Sequence, residues 1–265
     1  MKRFRYWILL VGLVLIAIAV RYFWGNDDDI TLGIVNDRGM EMVNISRERR
    51  VVNVLKVSGE SEVWIPEGLG WYRSDRVRKL LEMEKKKELL PKIFFYNFGF
   101  LADRICFAED WQKCLSWQEW IRYKLDQGKL MEGEEELTGD LTENEPKIIE
   151  IMPRDMALVK TLEDGTRVTV VNESGIDGMA NFVGKRLEMA GILVISVETG
   201  TEQKEEGCRL LVANKENKNK TVEIIERGLE CAVIVDQSLD EDRVELRIGG
   251  KFAEMIKYLS YVRTF

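Results

Sequence analysis

The stretch that most restricts what this chain can fold into is residues 168–197. Val168-Thr-Val-Val runs β-formers together, and Asn172-Glu-Ser-Gly175 is a polar turn whose small residues tolerate unusual backbone angles. A helical pattern opens near Asp177 and puts Met179, Phe182, Val183, Leu187 and Ala190 close to one face. Gly191 then stops the helix, and residues 192–197 return as a strand. The same alternation follows. Residues 208–213 read as a strand, 221–229 as a helix with Val222, Ile225 and Leu229 inward, 231–236 as a strand and 243–248 as a last strand. The order predicts an α/β (α+β) class: a small mixed-sheet domain of β-α-β-β-α-β type over 147–265, with helices on one face. Residues 147–152 and 156–161 read as short strands or a docking segment leading into it. The tail spaces Phe252, Met255, Ile256, Leu259 and Val262 for one helix face.

Several of these residues carry a resemblance. Val168 to Val171, Asn172, Ser174-Gly175, Gly178, Ala180, Leu187, Ala190-Gly191 and Val194 to Val197 are similar to the C-terminal domain of the LytR-CpsA-Psr family of bacterial cell-envelope proteins. Gly249-Gly-Lys-Phe252 resembles that domain's closing Gly-x-x-Phe. The family usually has a small residue where Glu173 stands, which argues against an anion grip by this turn. The resemblance implies a role in envelope assembly or maintenance, with Asn172, Ser174 and Gly175 as candidate ligand-binding residues.

Residues 27–127 read as a second small α/β region. Residues 30–36, 39–46 and 50–57 suggest strands, with a turn at Asn36-Asp-Arg-Gly39, and a helix runs from Ser74 or Asp75 to about Leu90 with Val77, Leu80 and Leu81 inward. Val54-Leu-Lys-Val-Ser58 followed by Trp64-Ile-Pro-Glu-Gly-Leu-Gly-Trp-Tyr-Arg73 resembles the opening of the family's catalytic domain, whose members transfer glycopolymers from lipid pyrophosphate to peptidoglycan. Where that domain has Ile-Pro-Arg-Asp, this chain has Val57-Ser-Gly-Glu60, without the arginine. A pyrophosphate site without its arginine clamp loses its main charge-assisted hydrogen bonds. The region therefore reads as a shortened, degenerate relative. Arg73, Arg76 and Arg78 are its only candidates for anion contact, against the plainer reading of surface arginines at a helix start.

The amino terminus constrains location. Residues 6–20 carry no charge, Arg21 interrupts, and Tyr22-Phe-Trp24 completes a run near the length needed to cross a bilayer. Lys2, Arg3 and Arg5 precede it and Asp27 to Asp29 follow. The expectation is a basic cytoplasmic tip at 1–5 and a single-pass signal anchor at 6–24, with the body outside the cytoplasmic membrane. Cleavage after Ala17-Ile-Ala19 is the alternative, and it leaves the body extracytoplasmic too. The net charge is −7; the first 21 residues hold four bases and no acid, so the remainder carries −11. So acidic a body is a poor nucleic-acid ligand.

Histidine is absent, which removes Ser-His-Asp and Cys-His machinery and the commonest metal ligand. Cys106, Cys114, Cys208 and Cys231 form no Cys-x-x-Cys pair, so no metal or cofactor is expected. Cys208 and Cys231 read as buried small hydrophobes, while the spacing leaves a Cys106–Cys114 bridge open. Ser116-Trp-Gln-Glu119 has capping-box form. The helix it starts joins Trp117, Trp120, Ile121 and Tyr123 to Arg122 and Lys124, which suits either packing on its own domain or lying at a membrane surface. Residues 128–146 are acidic and poor in large hydrophobes, and read as a linker. The expected function is a non-catalytic envelope protein that binds wall polymer (peptidoglycan or glycopolymer) or an envelope protein partner. The alternative is a divergent glycopolymer phosphotransferase.

Overall fold

The computed structural model describes residues 29–46, 48–138, 145–152, 156, 164–201, 206–214 and 219–261. The expected tip and anchor at 1–24, with the alternative cleavage site, lie outside the described residues. Most of the expected strand 156–161 lies outside them too. Among the described residues no helix is long and apolar enough to cross a membrane.

The first half is a five-stranded sheet. Strands β1 (Ile30–Asn36), β2 (Gly39–Ser46) and β3 (Val51–Ser58) form an antiparallel meander. The β1–β2 turn is set by Asn36, whose Oδ1 accepts from the Arg38 N–H at 2.8 Å. Gly39 closes it, because a Cβ there would lie 2.2 Å from the Val57 carbonyl oxygen. A small ribbon of β4 (Glu62–Ile65) and β5 (Gly70–Arg73) leads into α1 (Ser74–Glu84) and α2 (Leu90–Phe98). Strand β6 (Arg104–Phe107), helix α3 (Trp117–Asp126) and strand β7 (Met131–Leu137) complete the half. The strand order is β6-β1-β2-β3-β7, with β6 parallel to β1 and β7 parallel to β3.

Strand β7 replaces residues 131–137 of the expected linker at 128–146. Composition misled because this is an edge strand: Leu137 alone is buried, while Glu132, Glu134, Glu135 and Glu136 remain in water. Lys56 on β3 answers Glu134 at 2.6 Å.

The second half follows α4 (Glu145–Ile151), which is a helix where a strand or docking segment was expected. It comprises β8 (Arg167–Glu173), α5 (Met179–Met189), β9 (Leu193–Thr199), β10 (Cys208–Val212), α6 (Lys220–Leu229), β11 (Ala232–Val235), β12 (Arg243–Gly249) and α7 (Gly250–Tyr261). The sheet order is β11-β10-β12-β8-β9, so the last strand in the chain lies at the centre. It is parallel to β8 and antiparallel to β10. Residues from α5, α6 and α7 bury into one cluster with Val168, Val170, Leu210, Val244, Leu246 and Ile248.

Helix α2 joins the halves. From Ile93 to Phe98 every side chain is buried, Asn97 included, so this length of the helix has no face to water. Phe94 and Phe98 enter the first half's core with Val35, Met40 and Leu81, while Phe95 and Tyr96 enter the second half's core with Leu187 and Ile225. Arg186 of α5, buried, donates from Nε to the Tyr96 carbonyl at 2.7 Å and lies over the Phe182 ring at 4.8 Å. The two halves are therefore packed on one another.

All four cysteines pair. Cys106 bonds Cys114, with Cα atoms 6.0 Å apart, and Cys208 bonds Cys231, with Cα atoms 4.6 Å apart. The second pair corrects the reading of Cys208 and Cys231 as buried thiols: β10 and β11 are adjacent and parallel, which brings the start of one strand beside the residue before the other.

Candidate functional site

The carboxyl end of β8 builds its own turn. The Asn172 Oδ1 accepts from the Ser174 N–H at 3.1 Å and from the Ser174 hydroxyl at 2.6 Å. Asn172 Nδ2 donates to the Ile176 carbonyl at 2.9 Å, and Ser174 Oγ accepts from the Ile176 N–H at 3.0 Å. Side chains of Asn and Ser standing in for backbone partners are what make such a turn tight. Two predicted ligand residues thus spend polar atoms on the fold, and Ser174 is buried. Gly175, at φ 73°, takes the left-handed turn that follows.

Gly178, at φ 76°, precedes the first residue of helix α5, which has no side-chain cap. Between this helix start and the ends of β8 and β9 lies a cavity of about 350 Å³. Asn172, Asp177, Asn181, Glu198 and Thr199 line it, with backbone from Gly175, Gly178 and Gly200. Gly200 is needed there, since a Cβ would meet the Glu173 Cγ and Val171 Cγ1 at 2.9 Å. A crevice beyond the carboxyl ends of parallel strands is where open α/β sheets bind ligands. The lining offers two carboxylates, two amides and a hydroxyl, and no base. That donor set suits a neutral hydroxyl-rich or amine-bearing group and repels an anion.

Asn172 and Gly175 reach this crevice, whereas Arg73, Arg76 and Arg78 do not line it. Arg73 pairs with Asp75 at 3.0 Å, and Arg76 reaches the same carboxylate at 3.6 Å. Arg78 turns to Glu82 at 3.5 Å and lies over the Phe107 ring at 5.6 Å. The three arginines are splayed around the start of α1 and answer Asp75 and Glu82 of that helix, with Arg78 also 4.0 Å from Asp37 of the β1–β2 turn.

Glu173 explains its departure from the small residue expected at the turn. Its carboxylate is buried and clasped by Arg209 of β10 and by Arg247 of β12, the latter at 3.2 Å. Arg247 in turn reaches Glu245 at 2.5 Å. The ladder spans three strands on the face of the second sheet away from the helices. Its signal in the sequence was the alternation of charge with apolar residues in 243–248, with the single charge of Arg209 in the apolar run 208–212. Asp177, Asn181, Glu198 and Thr199 carried no such signal, because they meet only through the β8–α5–β9 crossover. Among the described residues no group of three or more His, Cys, Asp or Glu side chains is placed to hold a metal ion.

Residues 165–252, about a third of the chain, match the family described as LytR cell envelope-related transcriptional attenuator. The match coincides with the second sheet and its helices and does not reach residues 27–127. No curated protein and no solved structure matches the chain.

Proposed function

We propose that the chain is a single-pass, membrane-anchored envelope protein whose body lies outside the cytoplasmic membrane and acts by binding, without catalysis. Its crevice beside α5 takes a hydroxyl-rich or amine-bearing segment of wall polymer, and an envelope protein partner is the other ligand class it suits. The observation that carries this is the base-free, amide- and carboxylate-lined cavity within the stretch that matches a cell-envelope family. Two further facts support it. Every cysteine is in a disulfide, as suits an oxidising compartment. The apolar run at 6–24, with bases before it and acids after it, orients the body outward. The body's acidity speaks against a nucleic-acid partner.

The test uses the full chain in detergent, sedimented with purified peptidoglycan. Co-sedimentation that falls at least about tenfold in affinity in an Asp177→Asn, Glu198→Gln, Asn181→Ala variant is the expected outcome, the loss of several polar contacts at about 0.5–1.5 kcal/mol each. No sedimentation by the wild type removes the wall-polymer reading. Release of polyprenyl phosphate from a lipid-pyrophosphate glycopolymer, with magnesium present, replaces it with the phosphotransferase.

A further inference from the structure

Helix α3 is mounted with its apolar side facing out. Trp117, Trp120, Ile121, Lys124 and Leu125 fall at i, i+3, i+4, i+7 and i+8, one stripe of the helix. Trp117 is 63% exposed, Trp120 45% and Leu125 60%. An ordinary surface helix turns such a stripe inward. Here the opposite side is fastened to the sheet. Tyr123, the one fully buried side chain of α3, packs edge-on to Trp111 at 5.1 Å and donates to Glu132 at 2.9 Å. Glu119 takes Arg104 of β6 at 2.8 Å, and Arg104 also donates to the Cys114 carbonyl at 2.7 Å. The Cys106–Cys114 disulfide ties the preceding turn to β6. The outward stripe contains no acid. Its one charge is Lys124, whose ammonium lies 5.9 Å from the centre of the Trp120 ring. The sequence left two readings of this helix open; Tyr123 makes the buried contact with the body, and Trp117 and Trp120 stand exposed.

We infer that this stripe lies on the outer surface of the lipid bilayer, with the two indoles at headgroup depth and Lys124 against anionic headgroups. Tryptophan beside base on one helix face is the composition of helices that lie in that interface. The chain's path names the occupant. Ile30, the first residue of β1, packs on the cluster that contains Tyr123 of α3 and Trp111. Only residues 25–29 separate Ile30 from the apolar run at 6–24, and five residues reach at most roughly 18 Å. An anchor at 6–24 therefore holds the α3 side of the molecule within a short tether of the bilayer. The inference rests on that reading of residues 6–24. The helix then acts as a second, rigid foot that fixes how the body stands on the membrane.

The test reconstitutes the full chain in phosphatidylcholine vesicles with and without phosphatidylglycerol, with nitroxide on the lipid headgroups. A fluorophore is placed through Leu125→Cys, and in a control chain through Met83→Cys, an equally exposed position on α1. Quenching at 125 several-fold stronger than at 83, greater with the anionic lipid and lost when Trp117→Ser and Trp120→Ser are added, is the expected result. Carbonate-resistant chain with equal quenching at 125 and 83 overturns the inference while leaving the anchor standing. Chain that carbonate releases, yet is quenched at 125 at neutral pH, keeps the inference and removes the anchor. Chain that carbonate releases and that is quenched at neither position overturns both. Equal quenching together with cross-linking of position 125 to another envelope protein in cells assigns the stripe to a protein partner instead.

Discussion

At the residue scale, the ionised side chains that matter most are tied to partners on other elements, Glu119 to Arg104 and Glu173 to Arg209 and Arg247. Glu119 shows the consequence for pH. Burial pushes its carboxyl up, but the Arg104 guanidinium and the Ser116 backbone N–H, which donate to it, outweigh that and hold it below its ordinary value. A lowered carboxylate stabilises the fold above its unfolded pKa, about 4.3, and that contribution disappears as pH falls through the folded value. Glu119→Gln is therefore expected to lower the urea midpoint at pH 7, with the gap to wild type closing below about pH 4. A gap unchanged from pH 7 to pH 2 would show that the ion pair adds nothing. The crevice beside α5 was only half legible at this scale. Asn172 and Gly175 were legible because the turn they form is local and because the family resemblance falls on that turn. Asp177, Asn181, Glu198 and Thr199 were not, because a crossover brings them together and no spacing in the chain records it.

At the element scale, the strands and helices of residues 167–249 were readable because apolar periodicity changes there at each turn. Strand β7 was not, since an edge strand that buries one side chain has no apolar alternation to read. Helix α2 shows what its surroundings demand. Gly228 of α6 lies against it, and a Cβ there would come 2.7 Å from the Phe95 ring. Alanine favours a helix over glycine by about 1 kcal/mol, yet overpacking costs about 1–3 kcal/mol. Gly228→Ala should thus lower stability, and Phe95→Leu in the same chain should recover part of the loss in a double-mutant cycle of urea unfolding. Additive losses would mean that the ring and the glycine do not meet.

At the scale of the molecule, the layers run α3, first sheet, α1 with α2, then α5 to α7, then the second sheet. A composition-based division at residues 128–146 missed this, because what joins the halves is Phe95 and Tyr96 entering one core while Phe94 and Phe98 enter the other. Domains that share a helix this way unfold together. One calorimetric transition is expected, coincident by near-ultraviolet and far-ultraviolet dichroism, and two resolved transitions would refute the shared core. Strand β7 has a consequence at this same scale. Its glutamates line the outermost rim of the first sheet, so a neighbouring copy approaching along that rim meets its own charge before any main-chain bond can form. Copies crowded side by side are thereby denied growth into fibres through that side, however high their local concentration rises.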